Sequence, residues 1–207
     1  MKLQACDIIL FRNDKNDPVS RFSRWAIGPY SHVAMYLGKF YELFCKLFGA
    51  DPALCRADQT FTIPLVYESR GRGVMIASLL PQAGVPVAVM RPVLPPIKVG
   101  QEWESPESQL IKVAFEIAAD EKSLYDYSCI VYSCVPRVLK EKFPWLPLPV
   151  KYHRDIFMIC SEAVAEVFWR NEVEVVPKDV VPLPGDFALS PFLQYVGEGK
   201  LMEDINV

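Results

Sequence analysis

The chain has 207 residues, of which 51% are hydrophobic and 23% charged, with a formal net charge of −3. That balance predicts a packed core rather than disorder, in one domain of ordinary size. The slight acidity, with no Lys/Arg-rich stripe interleaved with aromatics, argues against a nucleic-acid or anionic-membrane surface.

Leu3-Gln4-Ala5-Cys6 resembles a lipoprotein cleavage box, but no apolar region precedes it, so lipidation is not expected. Asp7 interrupts the apolar run, so no secretory signal is read and a cytoplasmic location is expected, with release by lysis or with a phage particle left open. Ile8-Ile9-Leu10-Phe11 predicts a buried strand. Residues 12–30 read as irregular, with Pro18 and the turn Gly28-Pro29. His32 to Leu37 is β-prone, and Gly38 reads as its end. Phe40, Phe44, Leu47 and Phe48 recur at helical spacing and predict a helix that stops near Gly49, before Asp51-Pro52.

Strands are predicted at Ile63–Ser69, Gly73–Leu79 and Val85–Pro92, parted by Arg-Gly-Arg-Gly and Pro-Gln-Ala-Gly turns. The most apolar stretch, Gly84 to Val99, is broken by Arg91 and several prolines; spanning a bilayer takes about 20 apolar residues. Ser105-Pro106-Glu107 starts a helix, with Ser at the cap and Pro at the first position. Its apolar face is Leu110, Val113, Ala114 and Ile117. Tyr125 to Val135 is aromatic and cysteine-containing, without a decisive period. Residues 143–152 are too proline-rich for regular structure. A second helix covers Cys160 to Arg170, with Val164, Val167 and Phe168 at core spacing. Val175 to Asn206 reads as loop and short strand. Strands first and helices last is an α+β layout, an antiparallel sheet or small barrel packed against helices. No repeat or linker divides it, so residues 1–207 read as a single domain.

The six cysteines are Cys6, Cys45, Cys55, Cys129, Cys134 and Cys160. No C-x-x-C pair exists and only two histidines are present, so neither a metal site nor a cofactor is expected. The cysteines read as reduced thiols, most of them small core residues. Cys160 stands apart, because it opens a helix while His32 opens a strand. A thiol at a helix N-terminus and an imidazole at a strand edge are the minimum for an activated thiolate. Cys160 is then the candidate nucleophile and His32 the candidate general base and acid. His153, in a Tyr-His-Arg-Asp loop, competes for that role, but an exposed or capping place suits it better. In Leu65-Val66-Tyr67-Glu68-Ser69, alternation puts Val66 and Glu68 on one face. That suggests a partly buried, paired carboxylate, able to fix the imidazole tautomer as the third member of a triad; a solvated edge glutamate is the alternative.

These segments resemble the NlpC-type papain-like cysteine peptidases. The likeness lies in Asp7-Ile-Ile-Leu-Phe, in Ser31-His32-Val33-Ala34-Met35-Tyr36-Leu37-Gly38, in Val66-Tyr67-Glu68-Ser69 with Gly73-Val74, and in Ile159-Cys160-Ser161-Glu162. Ordinary members place the cysteine before the histidine. Here it follows, as in the circularly permuted branch that includes the YiiX-like proteins, with residues 39–62 as an insertion. The resemblance implies a cysteine peptidase or amidase acting through an acyl-thioester on a small peptide or amide, such as cell-wall-derived peptides. It also implies a substrate-lining role for Tyr125, in Leu124-Tyr125-Asp126-Tyr127; core packing is the alternative. Lipid-handling acyltransferases of the same branch carry Asn-Cys-Glu-His-Phe at the nucleophile, where this chain has Ile-Cys-Ser-Glu-Ala. A thioesterase or acyltransferase on lipid-like substrates is therefore the second expectation, and a catalytically silent binding module the third.

Overall fold

Ile8-Ile9-Leu10-Phe11 is apolar at every position, so a strand there needs cover on both faces. The computed structural model describes residues 1–12, 28–40, 43, 63–99, 102–120, 133–145, 147 and 158–207. Its strands are β1 (Ile8–Arg12), β2 (Tyr30–Lys39), β3 (Pro64–Arg70), β4 (Gly73–Ser78), β5 (Pro86–Pro92), β6 (Ile97–Val99), β7 (Glu102–Glu104) and β8 (Leu193–Lys200). Its helices are α1 (Pro106–Ala118), α2 (Val135–Lys142) and α3 (Cys160–Arg170). Six strands form one antiparallel sheet, ordered β4-β3-β2-β1-β5-β8, while β6 and β7 pair separately. The molecule is thus α+β, with the sheet packed against helices, as the sequence predicts.

β1 is covered on both sides. Ile8 and Leu10 meet Met35, Tyr67 and Met90, and with them Val164, Val167 and Phe168 of α3. Ile9 and Phe11 face away, towards Tyr36, Val66, Val89, Leu201 and Ile205. The segments that close this second face are tied together, Leu3 N–H donating to the Asn206 carbonyl and Asn206 N–H to that of Met1. Asp7 is fully buried just before β1. Arg91 grips it through Nε and Nη2, each at 2.8 Å, and Gln4 N–H donates to it at 2.8 Å, so a buried charge is paired rather than stranded.

The α1 start is as the sequence implies. Ser105 Oγ accepts from Ser108 N–H, Pro106 takes the first turn, and Leu110, Val113, Ala114 and Ile117 are buried. Two expectations need correction. Gly38 does not end β2, which runs to Lys39; the pairing with β3 shifts between Tyr36 and Gly38, and Gly38 has φ 106°, which glycine takes without strain. The C-terminal region is more than loop and short strand, since β8 spans eight residues and pairs with β5 from Pro86↔Lys200 to Pro92↔Leu193. A register shift at Val89/Met90 and exposed positions along the strand erase its period. The predicted 40–48 helix and the insertion at 39–62 lie outside the described residues, apart from Lys39, Phe40 and Leu43. No described helix is long and apolar enough to cross a membrane.

Candidate active site

The site lies where β2 and β3 part. Tyr36 N–H donates to the Asp7 carbonyl at 2.8 Å. By alternation, the amides of Met35 and Val33 then point towards β3. The β2–β3 register runs from Lys39↔Pro64 to Met35↔Tyr67. Past Tyr67, β3 continues against β4, with Glu68↔Met75, Ser69↔Val74 and Arg70↔Gly73. A wedge opens between the His32 end of β2 and residues 68–70 of β3.

Two features aim His32 into that wedge. Phe11 pairs with His32 but Arg12 pairs with Tyr30, so Ser31 is an extra residue in β2. Such a bulge re-aims the neighbouring side chain. Phe11 also packs on the imidazole, ring centroids 5.3 Å apart and tilted by 47°. Across the wedge, His32 Nε2 lies 2.8 Å from Glu68 Oε2. Glu68 is 1% exposed, and its other oxygen, Oε1, lies 2.8 Å from Arg70 Nε. The carboxylate expected on the Val66 face is therefore buried and doubly paired, not a solvated edge group.

β3 also holds the Cys160 segment. Its alternate residues donate to α3 and its approach: Ser69 Oγ to the Met158 carbonyl at 2.7 Å, and Tyr67 Oη to that of Ala163 at 3.1 Å. Ser161 Oγ donates to the Pro182 carbonyl at 2.7 Å. The Glu162 carboxylate accepts from Ile159 N–H at 2.9 Å, closing the first turn. Cys160, 6% exposed, is the first residue of α3. The His32 side chain and the backbone of Val33 and Ser161 act on its sulfur, and each draws the thiol down. Val33 thus offers the sulfur the amide that the parted ladder leaves over. Because Nε2 engages Glu68, Nδ1 is the imidazole nitrogen left for the sulfur.

Burial alone would push the Cys160 thiol up, but the charge of His32, its hydrogen bond and the Val33 and Ser161 amides hold it below its ordinary value. Burial alone would lower His32; the Cys160 charge and hydrogen bond, with those of Glu68, instead raise it from 6.5 to about 9. The two shifts belong to one coupled pair, in which the charged forms of sulfur and imidazole favour each other. The helix N-terminus adds partial positive charge next to the sulfur. Such a pair is a competent nucleophile with a proton donor at hand.

Cys160, His32 and Glu68 meet in space. Tyr125 and His153 lie outside the described residues. Reading the sequence misses Arg70, Ser69 and Tyr67. Arg70 hides in an Arg-Gly-Arg-Gly stretch read as a turn; its signal is the spacing of Glu68 and Arg70 by two residues, which puts both on one strand face.

No family model matches the chain, and no curated protein matches it. Among solved structures it is similar to the metalloprotein YiiX from Escherichia coli O157:H7, with a TM-score of 0.55. The two are 18% identical, the match covering 95% of this chain and 98% of that one. At that identity the likeness concerns the fold.

Proposed function

We propose that the protein is a cysteine hydrolase that cleaves an amide bond through an acyl-thioester, on the permuted papain-like plan of the NlpC-type enzymes. The observation that carries this is the meeting of Cys160, His32 and Glu68 in one wedge, with the thiol held down and the imidazole held up. The Cys160 thiolate attacks the substrate carbonyl carbon, forming a C–S bond and a tetrahedral oxyanion. The Cys160 backbone N–H, at the start of α3, is the oxyanion donor in this reading. The His32 imidazolium gives its proton to the departing amine as the C–N bond breaks. Water then attacks the thioester, losing a proton to His32, and the C–S bond breaks to release a carboxylic acid and restore the pair. Glu68 keeps the ring oriented and stabilises its cationic form. Small cell-wall-derived peptides are the substrate class that the sequence resemblance suggests.

The E. coli neighbour is a metalloprotein. Among the described residues here, no group of three or more His, Cys, Asp or Glu side chains could hold a metal ion. Nε2 of His32 is committed to Glu68, which leaves a two-donor Cys160–His32 pair, short of the three protein ligands of a catalytic zinc site. Among the described residues, this donor set does not supply the ligands of a resident metal.

Iodoacetamide labelling near neutral pH, followed by peptide mass spectrometry, tests the proposal. Cys160 should alkylate at least about tenfold faster than the other five cysteines, and His32→Ala should remove most of that advantage. Equal reactivity across the six thiols would end the enzyme reading. Assays on γ-glutamyl peptides against acyl esters then separate amidase from thioesterase activity.

A further inference from the structure

We propose that Arg70 is a positioning residue of this site, holding the Glu68 carboxylate aimed at His32 throughout turnover. The inference rests on the cysteine-hydrolase reading and deepens it. Glu68 is 1% exposed, with one oxygen 2.8 Å from His32 Nε2 and the other 2.8 Å from Arg70 Nε. A buried carboxylate without a cation takes up a proton instead of staying charged. His32 supplies compensating charge only while protonated, and the proposed reaction requires it to give that proton away. At that moment Glu68 faces a neutral ring. The guanidinium is cationic at every working pH and carries the compensation through that interval.

The geometry suits the task. Arg70 Nε engages Glu68 at the buried end of the pair, while 42% of the Arg70 side chain reaches solvent. The Gln82 amide, with its oxygen turned to the guanidinium, accepts from the far end of Arg70. Gln82, Arg70, Glu68, His32 and Cys160 then form one chain of contacts. Among the described residues, the charged or titratable groups against Glu68 are His32 from β2 and Arg70 from β3; β4 sets Met75 opposite it. The groups against His32 are Glu68 and Cys160.

The test is the rate of Cys160 alkylation by iodoacetamide as a function of pH, in the wild type, Arg70→Gln and Arg70→Lys. Without the guanidinium, the Glu68 carboxylate loses the partner that fixes its second oxygen, and it supports the imidazolium less. The acid limb of the profile should therefore move up by about one pH unit in Arg70→Gln. Arg70→Lys should move it less, because an ammonium supplies the charge without the fork. If Arg70→Gln does not fold, Arg70→Lys decides alone: a displaced acid limb supports the role. Superimposable profiles, even with a lowered melting temperature, would overturn it and make Arg70 a plain structural ion pair. A wild-type Cys160 no faster than the other thiols would overturn both the hydrolase reading and this one; a fast Cys160 with unmoved profiles would sink only the role of Arg70.

Discussion

Glu68→Gln keeps the shape of the third side chain and removes its charge. The hydrogen bond and charge of Glu68 help raise His32 to about 9, so the neutral amide should let the imidazole fall back towards 6.5. The sign follows from the chemistry: the thiolate–imidazolium pair persists up to the pH at which His32 loses its proton. In the wild type the pair should hold until about pH 9; in Glu68→Gln it should break down at lower pH. An NMR titration of the His32 ring checks this, and an unmoved midpoint would mean that the carboxylate does not reach the imidazole. The same shift bears on stability. A base raised on folding stabilises the folded state below its unfolded pKa, and that contribution is lost as pH rises through the folded value, here about 9. The depressed Cys160 thiol acts with the opposite sign: its contribution is present above the unfolded thiol range and disappears as pH falls through the folded one.

β3 and α3 are the elements that make residues far apart in sequence into neighbours. Along β3, Tyr67 and Ser69 donate to carbonyls of the Cys160 segment, while Glu68 pairs with both His32 and Arg70. One strand thus fixes Cys160 and His32 relative to each other. Ser69→Ala strands the buried Met158 carbonyl, a cost of about 1–3 kcal/mol. Ser105→Ala removes an exposed cap of α1, at about 1 kcal/mol. Urea denaturation should show Ser69→Ala at least as destabilised as Ser105→Ala. Only Ser69→Ala should also slow Cys160 alkylation, since it loosens the approach to α3. Equal loss of alkylation in both variants would show that global stability, not this hook, sets the reactivity. Packing dominates either hydrogen bond: Phe168 is fully buried on α3, and a truncation of that size in a core costs about 3–5 kcal/mol.

Across the whole molecule, what could be read from the sequence is what leaves a local period. β1 to β5, α1 and α3 announce themselves through alternation, turn residues and a Ser-Pro cap, and Cys160, His32 and Glu68 stand at their starts and along their faces. β8 does not, because a register shift and a largely exposed edge leave no alternation to find. The wedge between β2 and β3 is equally silent: it depends on where a ladder stops, which is set by long-range pairing. Arg70 was concealed by glycines that make its surroundings look like a turn. In the proposed enzyme, a sulfur and an imidazole about 130 positions apart form one ion pair. Ultraviolet thiolate absorbance, titrated in the wild type, Cys160→Ser and His32→Ala, measures that pair most directly. The prediction is a thiolate signal at neutral pH that vanishes in Cys160→Ser and moves to the ordinary thiol range, about 8.5, in His32→Ala. A wild-type signal that rises only near that ordinary range, or one that His32→Ala leaves in place, would contradict it.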